Sequence, residues 1–206
     1  MPIWSSEPKT GIIEYFKMGR CTDVEEMMNM KLLVMCGHAG THMDVPYHLV
    51  ANGKDLDAIS LDRCVGEAAV IDFTHKGAGD DITVKDLKEH EDEIREGSRI
   101  ILKTGWCKRW GTTDYFNKEL IPKLTPEALR WLAHRKIWLL GVDTPSVNPY
   151  LDRHKRIFEG EDPPVVVELL TNTDQIRKEK VFFIALPLKI AGGDGSPVRA
   201  IAIEEE

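Results

Sequence analysis

The sequence predicts one α/β or α+β domain over residues 1–206, built on a mixed β-sheet with strands outnumbering helices. Three observations predict it. A chain of 206 residues has the size of one domain and can bury roughly 70% of the surface its unfolded form exposes, so it needs neither disulfide nor metal merely to fold. Short apolar runs bounded by turn signals recur along the chain, the pattern of strands rather than of long helices. Helix start and stop signals mark just two stretches, and no internal repeat points to a solenoid or propeller.

In chain order, strands are expected at 31–36, 68–73, 100–104, 137–142, 165–169, 181–188 and 198–203. A first helix is expected over 84–95, where Thr83 with Asp86 three residues on forms a capping-box-like start and Gly97 stops the segment. A second begins at Pro126 behind the cap Thr125, with Leu129, Leu132 and Ala133 along one face. Segments 107–124 and 148–164 read as long loops, which in compact domains are often functional.

Hydrophobic residues at 42% and charged residues at 30% describe an ordinary soluble globular protein. The run 181–188 is far short of the ~20 apolar residues that a transmembrane helix needs, so no membrane partner is expected. A net charge of −7 argues against nucleic acid as the main partner. No basic stretch followed by an apolar run opens the sequence, and the expectation is a cytoplasmic protein acting on a small molecule. Cys21, Cys36, Cys64 and Cys107 are widely separated, which excludes a zinc ribbon, a Cys-x-x-Cys redox site and a disulfide framework.

The chemistry concentrates in Gly37-His38-Ala39-Gly40-Thr41-His42-Met43-Asp44-Val45-Pro46-Tyr47-His48, which holds three of the seven histidines. Gly37, Gly40 and Pro46 argue against a helix here. The segment reads instead as a strand ending at Cys36, a glycine-bent turn and an extended piece. In that piece His42, Asp44, Pro46 and His48 share one face. Alternate strand residues stand roughly 6.6 Å apart, so His42 and Asp44 can converge on one ion with modest bending. His48 would lie about 20 Å from His42 on a straight path, and a bend at Pro46 would bring it back as a base rather than a ligand. Two imidazoles and a carboxylate suit a borderline-soft divalent cation, zinc first and manganese next.

These residues carry a resemblance. His38 to His48 reproduces the pattern His-x-Gly-Thr-His-x-Asp-x-Pro-x-His and resembles the signature of the cyclase family of metal-dependent hydrolases, which takes in arylformamidases and isatin hydrolases. Gly141-Val142-Asp143-Thr144-Pro145-Ser146 and the stretches Ala185–Leu188 and Ser196–Ala200 are similar to further family segments. The resemblance implies a swivelling β/β/α fold and two divalent ions per chain. It implies that His38, His42 and Asp44 bind one ion and that Asp44 bridges to a second. His154 and Glu168 match the later ligands best, with Glu159 and Glu161 as competitors. His48 would be the proton shuttle and Trp4 would pack on substrate. It also implies a further strand ahead of Met1 and assembly as a homodimer or homotetramer.

The reaction so implied is hydrolysis of a non-peptide C–N bond, with N-formylkynurenine or a related aryl formamide as the leading substrate. The alternatives are an isatin-type cyclic amide hydrolase and a metal-stabilised binding or assembly protein without turnover. Ser5-Ser6-Glu7 departs from the formamidase-like Pro-Gly-Asp, and the segment before His154 is shorter, which bears on the substrate more than on the metal. No Gly-x-Ser-x-Gly elbow, Walker loop or dinucleotide fingerprint occurs. His75, His90 and His134 read as structural or solvated. Trp106 and Trp110 are read either as pocket walls or as core.

Overall fold

The computed structural model describes residues 11–17 and 29–205, with side chains described from residue 31 on. In chain order the strands and helices are β1 (Gly11–Lys17), β2 (Asn29–Val34), β3 (His42–Asp44), β4 (Val65–Asp72), β5 (Asp81–Ile82), α1 (Val84–Lys88), β6 (Arg99–Lys103), β7 (Lys123–Leu124) and α2 (Pro126–His134). There follow β8 (Leu139–Val142), α3 (Leu151–His154), β9 (Val165–Glu168), β10 (Lys180–Ile184), β11 (Gly195–Pro197) and β12 (Ile201–Ile203). Strands thus outnumber helices, as the apolar runs require.

The main sheet has eight strands in the order β11-β3-β9-β8-β6-β4-β10-β12. Its centre, β4-β6-β8-β9, is parallel, and the strands on both flanks are antiparallel. Parallel neighbours buried on both faces read as continuous apolar runs, which is why Val165, Val166 and Val167 are all buried. On one face Ala128, Leu129 and Leu132 of α2 pack with Ile100, Leu102, Leu140, Val142 and Val166. On the other face Met43, Val45, Ala68, Ile101, Val167 and Phe183 form a second cluster. β1 and β2 pair with each other in a separate antiparallel sheet.

Some expected elements are shorter in the structure. The first helix closes at Lys88 rather than running to residue 95. Its capping box is present, but only Leu87 and Ile94 are buried along this stretch, and two apolar positions seven residues apart give a helix no continuous face to dock. β10 ends at Ile184, and Pro187, which has no N–H for a ladder, makes only an isolated bridge to Val198. The segment 148–164 carries α3 and a 3₁₀ turn over Lys155–Phe158, because Ile157 and Phe158 are drawn into the core. Thr125 caps α2 as expected, its Oγ1 accepting from the Ala128 N–H at 3.1 Å.

Candidate metal centre

β3 is three residues long and lies between β9 and β11. His42 pairs with Glu168, so these two side chains share a face with Asp44, while Met43 points into the opposite core. Ahead of β3, a turn closes with the Ala39 N–H donating to the Cys36 carbonyl at 3.2 Å, and Gly40 takes φ +70°. Beyond it, Pro46 opens a single 3₁₀ turn over Pro46–His48 in which the His48 N–H donates to the Val45 carbonyl at 2.9 Å. That turn brings the His48 ring against His38, with centroids 3.9 Å apart and planes inclined by 37°. The expected bend at Pro46 is present.

Two further acids and bases arrive from distant segments. Glu168 ends β9, and Leu169, at φ +59°, turns the backbone away immediately after it. The Val147 N–H donates to Glu168 Oε1 at 2.7 Å. The segment after β8 is shaped by its own polar residues. Asp143 accepts from Thr104, Gly105 and Thr173, and the Ser146 hydroxyl donates to the Asn148 carbonyl at 3.0 Å. The chain then enters α3, whose last residue is the buried His154. Its Nδ1 lies 3.3 Å from Ser146 Oγ, which already donates elsewhere, so Nδ1 carries the proton and Nε2 the lone pair.

The donors meet around Asp44. His42 Nδ1 donates to the Gly40 carbonyl at 2.8 Å, leaving Nε2 3.2 Å from Asp44 Oδ1 and 3.8 Å from Glu168 Oε2. His154 Nε2 stands 3.5 Å from Asp44 Oδ2 and 3.8 Å from Glu168 Oε1. A tetrahedral ion bonded at about 2.0–2.1 Å has ligand atoms about 3.3 Å apart, close to this ring of distances. His38 Nδ1 joins at 2.7 Å from Asp44 Oδ1. Within 4.8 Å the donor atoms form three groups among the described residues: His38, His42, Asp44 and Asp44, His154, Glu168, which share Asp44, and a more exposed one of His38, His48 and Asp194.

Burial disfavours charge on all these groups, and neighbours decide the outcome. Burial opposes the His38 imidazolium, but bonds to Asp44 and Asp194 outweigh it and raise its pKa to about 10. Asp44, against burial, is held well below the carboxylate range by His42 and His38. Burial and the charge of Asp44 push Glu168 up. Burial pulls His154 down to about 4 and lowers His48 as well. A neutral imidazole whose buried Nε2 has no hydrogen-bond partner, beside two buried acids, is a donor set that fits a divalent cation.

Glu159 and Glu161 lie elsewhere, paired with Arg130 and Arg156 and with Lys136 respectively. Trp106 is buried with Tyr115 and Ile121, whereas Trp110 is half exposed. Trp4 and Cys21 lie outside the described residues. The sequence reading missed Asp194, whose Oδ2 is 3.0 Å from His38 Nε2 and 3.4 Å from His48 Nδ1. Its one signal is the glycine density of Gly192-Gly193-Asp194-Gly195, which marks close backbone approach.

Comparison with known proteins places the chain in a family. The cyclase family model matches residues 1–149. The chain belongs to the cyclase family. It is 33% identical over 180 residues to a kynurenine formamidase of Bacillus cytotoxicus, covering 84% of this chain and 79% of that protein. It is 29% identical over 210 residues to a kynurenine formamidase of Erythrobacter litoralis, covering 99% and 88%. Among solved structures, an isatin hydrolase bound to the product analogue thioisatinate superposes with a TM-score of 0.81 at 25% identity, covering 97% of this chain and 83% of that one. The chain is therefore a hydrolase of this family. No helix among the described residues is long and apolar enough to cross a membrane.

Proposed function

We propose that this hydrolase uses two divalent cations, zinc in the first place, to cleave the C–N bond of an aryl formamide of the N-formylkynurenine type. The observation that carries the reading is the convergence of His42, Asp44, His154 and Glu168 from separate segments, with the His48 ring packed against His38 beside them. His38, His42 and Asp44 would hold one ion, and Asp44, His154 and Glu168 the other. Bound there, a divalent cation supplies Lewis acidity, polarising a carbonyl and lowering the pKa of a water from 15.7 to about 7. The paired carboxylates of Asp44 and Glu168 offset the charge of the cations. His48 accepts a proton from the attacking water at one ring nitrogen and returns it to the departing aniline nitrogen, giving the free amine and formate. The kynurenine formamidase relatives support this substrate class.

The second reading, hydrolysis of an isatin-type cyclic amide with manganese, is favoured by the likeness to isatin hydrolases. Assays of N-formylkynurenine and isatin side by side, with elemental analysis of protein purified without a histidine tag, separate the two. Turnover of the formamide with about two equivalents of zinc per chain is expected. Failure of both substrates overturns the reading. We also propose a homodimer or homotetramer, supported by the exposed apolar side chains of Leu33 and Val34 in β2, of Phe182 in β10 and of Ile201 and Ile203 in the edge strand β12. Light scattering that reports a monomer refutes it.

A further inference from the structure

Asp194 is half exposed, yet the backbone around it is tightly held. The Leu56 N–H donates to the Gly193 carbonyl at 3.0 Å, the Val45 N–H to the Asp194 carbonyl at 3.3 Å, and the Gly192 N–H to Asp57 Oδ2 at 2.8 Å. A side chain at Gly37 or Gly195 would run into backbone, and one at Gly193 would displace the tip of Leu56. A Cβ on Gly193 would stand 2.6 Å from Leu56 Cδ1, and one on Gly37 would stand 2.9 Å from the Gly195 carbonyl oxygen. A Cβ on Gly195 would stand 2.5 Å from His38 Cε1 and 2.8 Å from the Met43 carbonyl oxygen. The glycines let this loop lie directly on the histidine segment, and Gly195 pairs with Asp44 in β11.

The loop delivers a single oxygen to two imidazoles. Asp194 Oδ2 faces His38 Nε2 at 3.0 Å and His48 Nδ1 at 3.4 Å. Asp194 is the one side-chain hydrogen-bond partner of the His48 ring among the described residues. A carboxylate only accepts, so both facing nitrogens must carry protons.

We propose that Asp194 is a positioning residue for this hydrolysis, fixing the Nδ1–H tautomer of His48 so that its Nε2 keeps a lone pair for the transferred proton, and aligning the His38 ring between Asp44 and itself. The inference rests on the proton-handling role given to His48 above. A buried triad aspartate contributes about 10⁴ in kcat through tautomer control. Asp194 is half exposed, so Asp194→Asn is expected to lower kcat roughly 10- to 100-fold with little change in KM.

The test combines kinetics with spectroscopy. Asp194→Asn, Asp194→Glu, His48→Ala and the double variant His48→Ala/Asp194→Asn are assayed on N-formylkynurenine with metal replenished. Asp194→Glu should recover part of the lost kcat, and Asp194→Asn should cost nothing further once His48 is gone. Imidazole ¹⁵N NMR of the metal-free protein should show His48 protonated at Nδ1 in the wild type and shifted toward Nε2–H in Asp194→Asn. A full additional loss in the double variant, or an unchanged His48 tautomer in Asp194→Asn, overturns the proposal. If the wild type turns over neither formamide nor isatin, the proposed reaction fails, while the NMR comparison still decides the role of Asp194.

Discussion

His154 Nε2 and Asp44 Oδ2 face each other across 3.5 Å, and the imidazole nitrogen has no hydrogen-bond partner among the described residues. A buried acceptor left bare costs about 1–3 kcal/mol, so the folded chain has standing affinity for anything that satisfies it. The proposed cations do so. Adding zinc to chelator-treated protein at 100 times its dissociation constant should stabilise the fold by about 2.7 kcal/mol. That corresponds to a rise of roughly 5–11 °C in Tm for a chain of this length, read by calorimetry. An unchanged Tm would remove His154 and Asp44 from metal binding.

Replacing His48 separates chemistry from metal retention. His48→Ala should lower kcat by ~10²–10⁴, the usual worth of a general acid–base group, while elemental analysis finds the wild-type metal content. His154→Ala should behave the other way, weakening metal affinity at least as much as the ~10–100-fold typical of losing a mere supporting partner. Retained turnover in His48→Ala would exclude it from proton transfer.

The stability of α1 should depend on acid in a direction set by Asp86. Burial raises the Asp86 pKa, but Lys76 and the Thr83 cap together outweigh it and lower the value to about 2. Because the folded value lies below the unfolded one near 3.9, its contribution is present above about pH 4 and disappears as pH falls toward 2. Urea midpoints of Asp86→Asn and wild type should therefore differ at neutral pH and converge near pH 2. Thr83→Ala, which removes the reciprocal cap, should cost about 0.5–2 kcal/mol.

How much of this was legible in the sequence depends on chain distance. His38, His42, Asp44 and His48 could be placed together because one short segment holds them, and the alternation of a strand and the bend of a proline are local rules. The parallel core strands were legible as apolar runs. His154 and Glu168 needed the family resemblance, since no local rule brings residues 154 and 168 back to residue 44. Asp194 stands 146 positions from His48, and a lone carboxylate in a glycine-rich loop has no periodicity to betray it. The first helix was overread because its capping box signals where a helix starts and says nothing of how far packing will sustain it.

Met43 offers a test on the far side of β3. It is fully buried between the two donors His42 and Asp44 in sequence, yet its side chain belongs to the opposite core. Met43→Ala should cost about 2–5 kcal/mol in denaturant unfolding. A cost below 0.5 kcal/mol, the scale of surface substitutions, would mean that this face contributes little.

The placement of Met43 also means that the hydrolytic chemistry is addressed by grease. Slipping three residues by one position along β9 would turn His42 and Asp44 into the hydrocarbon interior and thrust a thioether toward His154 and Glu168. The oily side of so brief a ribbon thus acts as its alignment key, holding the register that turns both polar side chains to the same side.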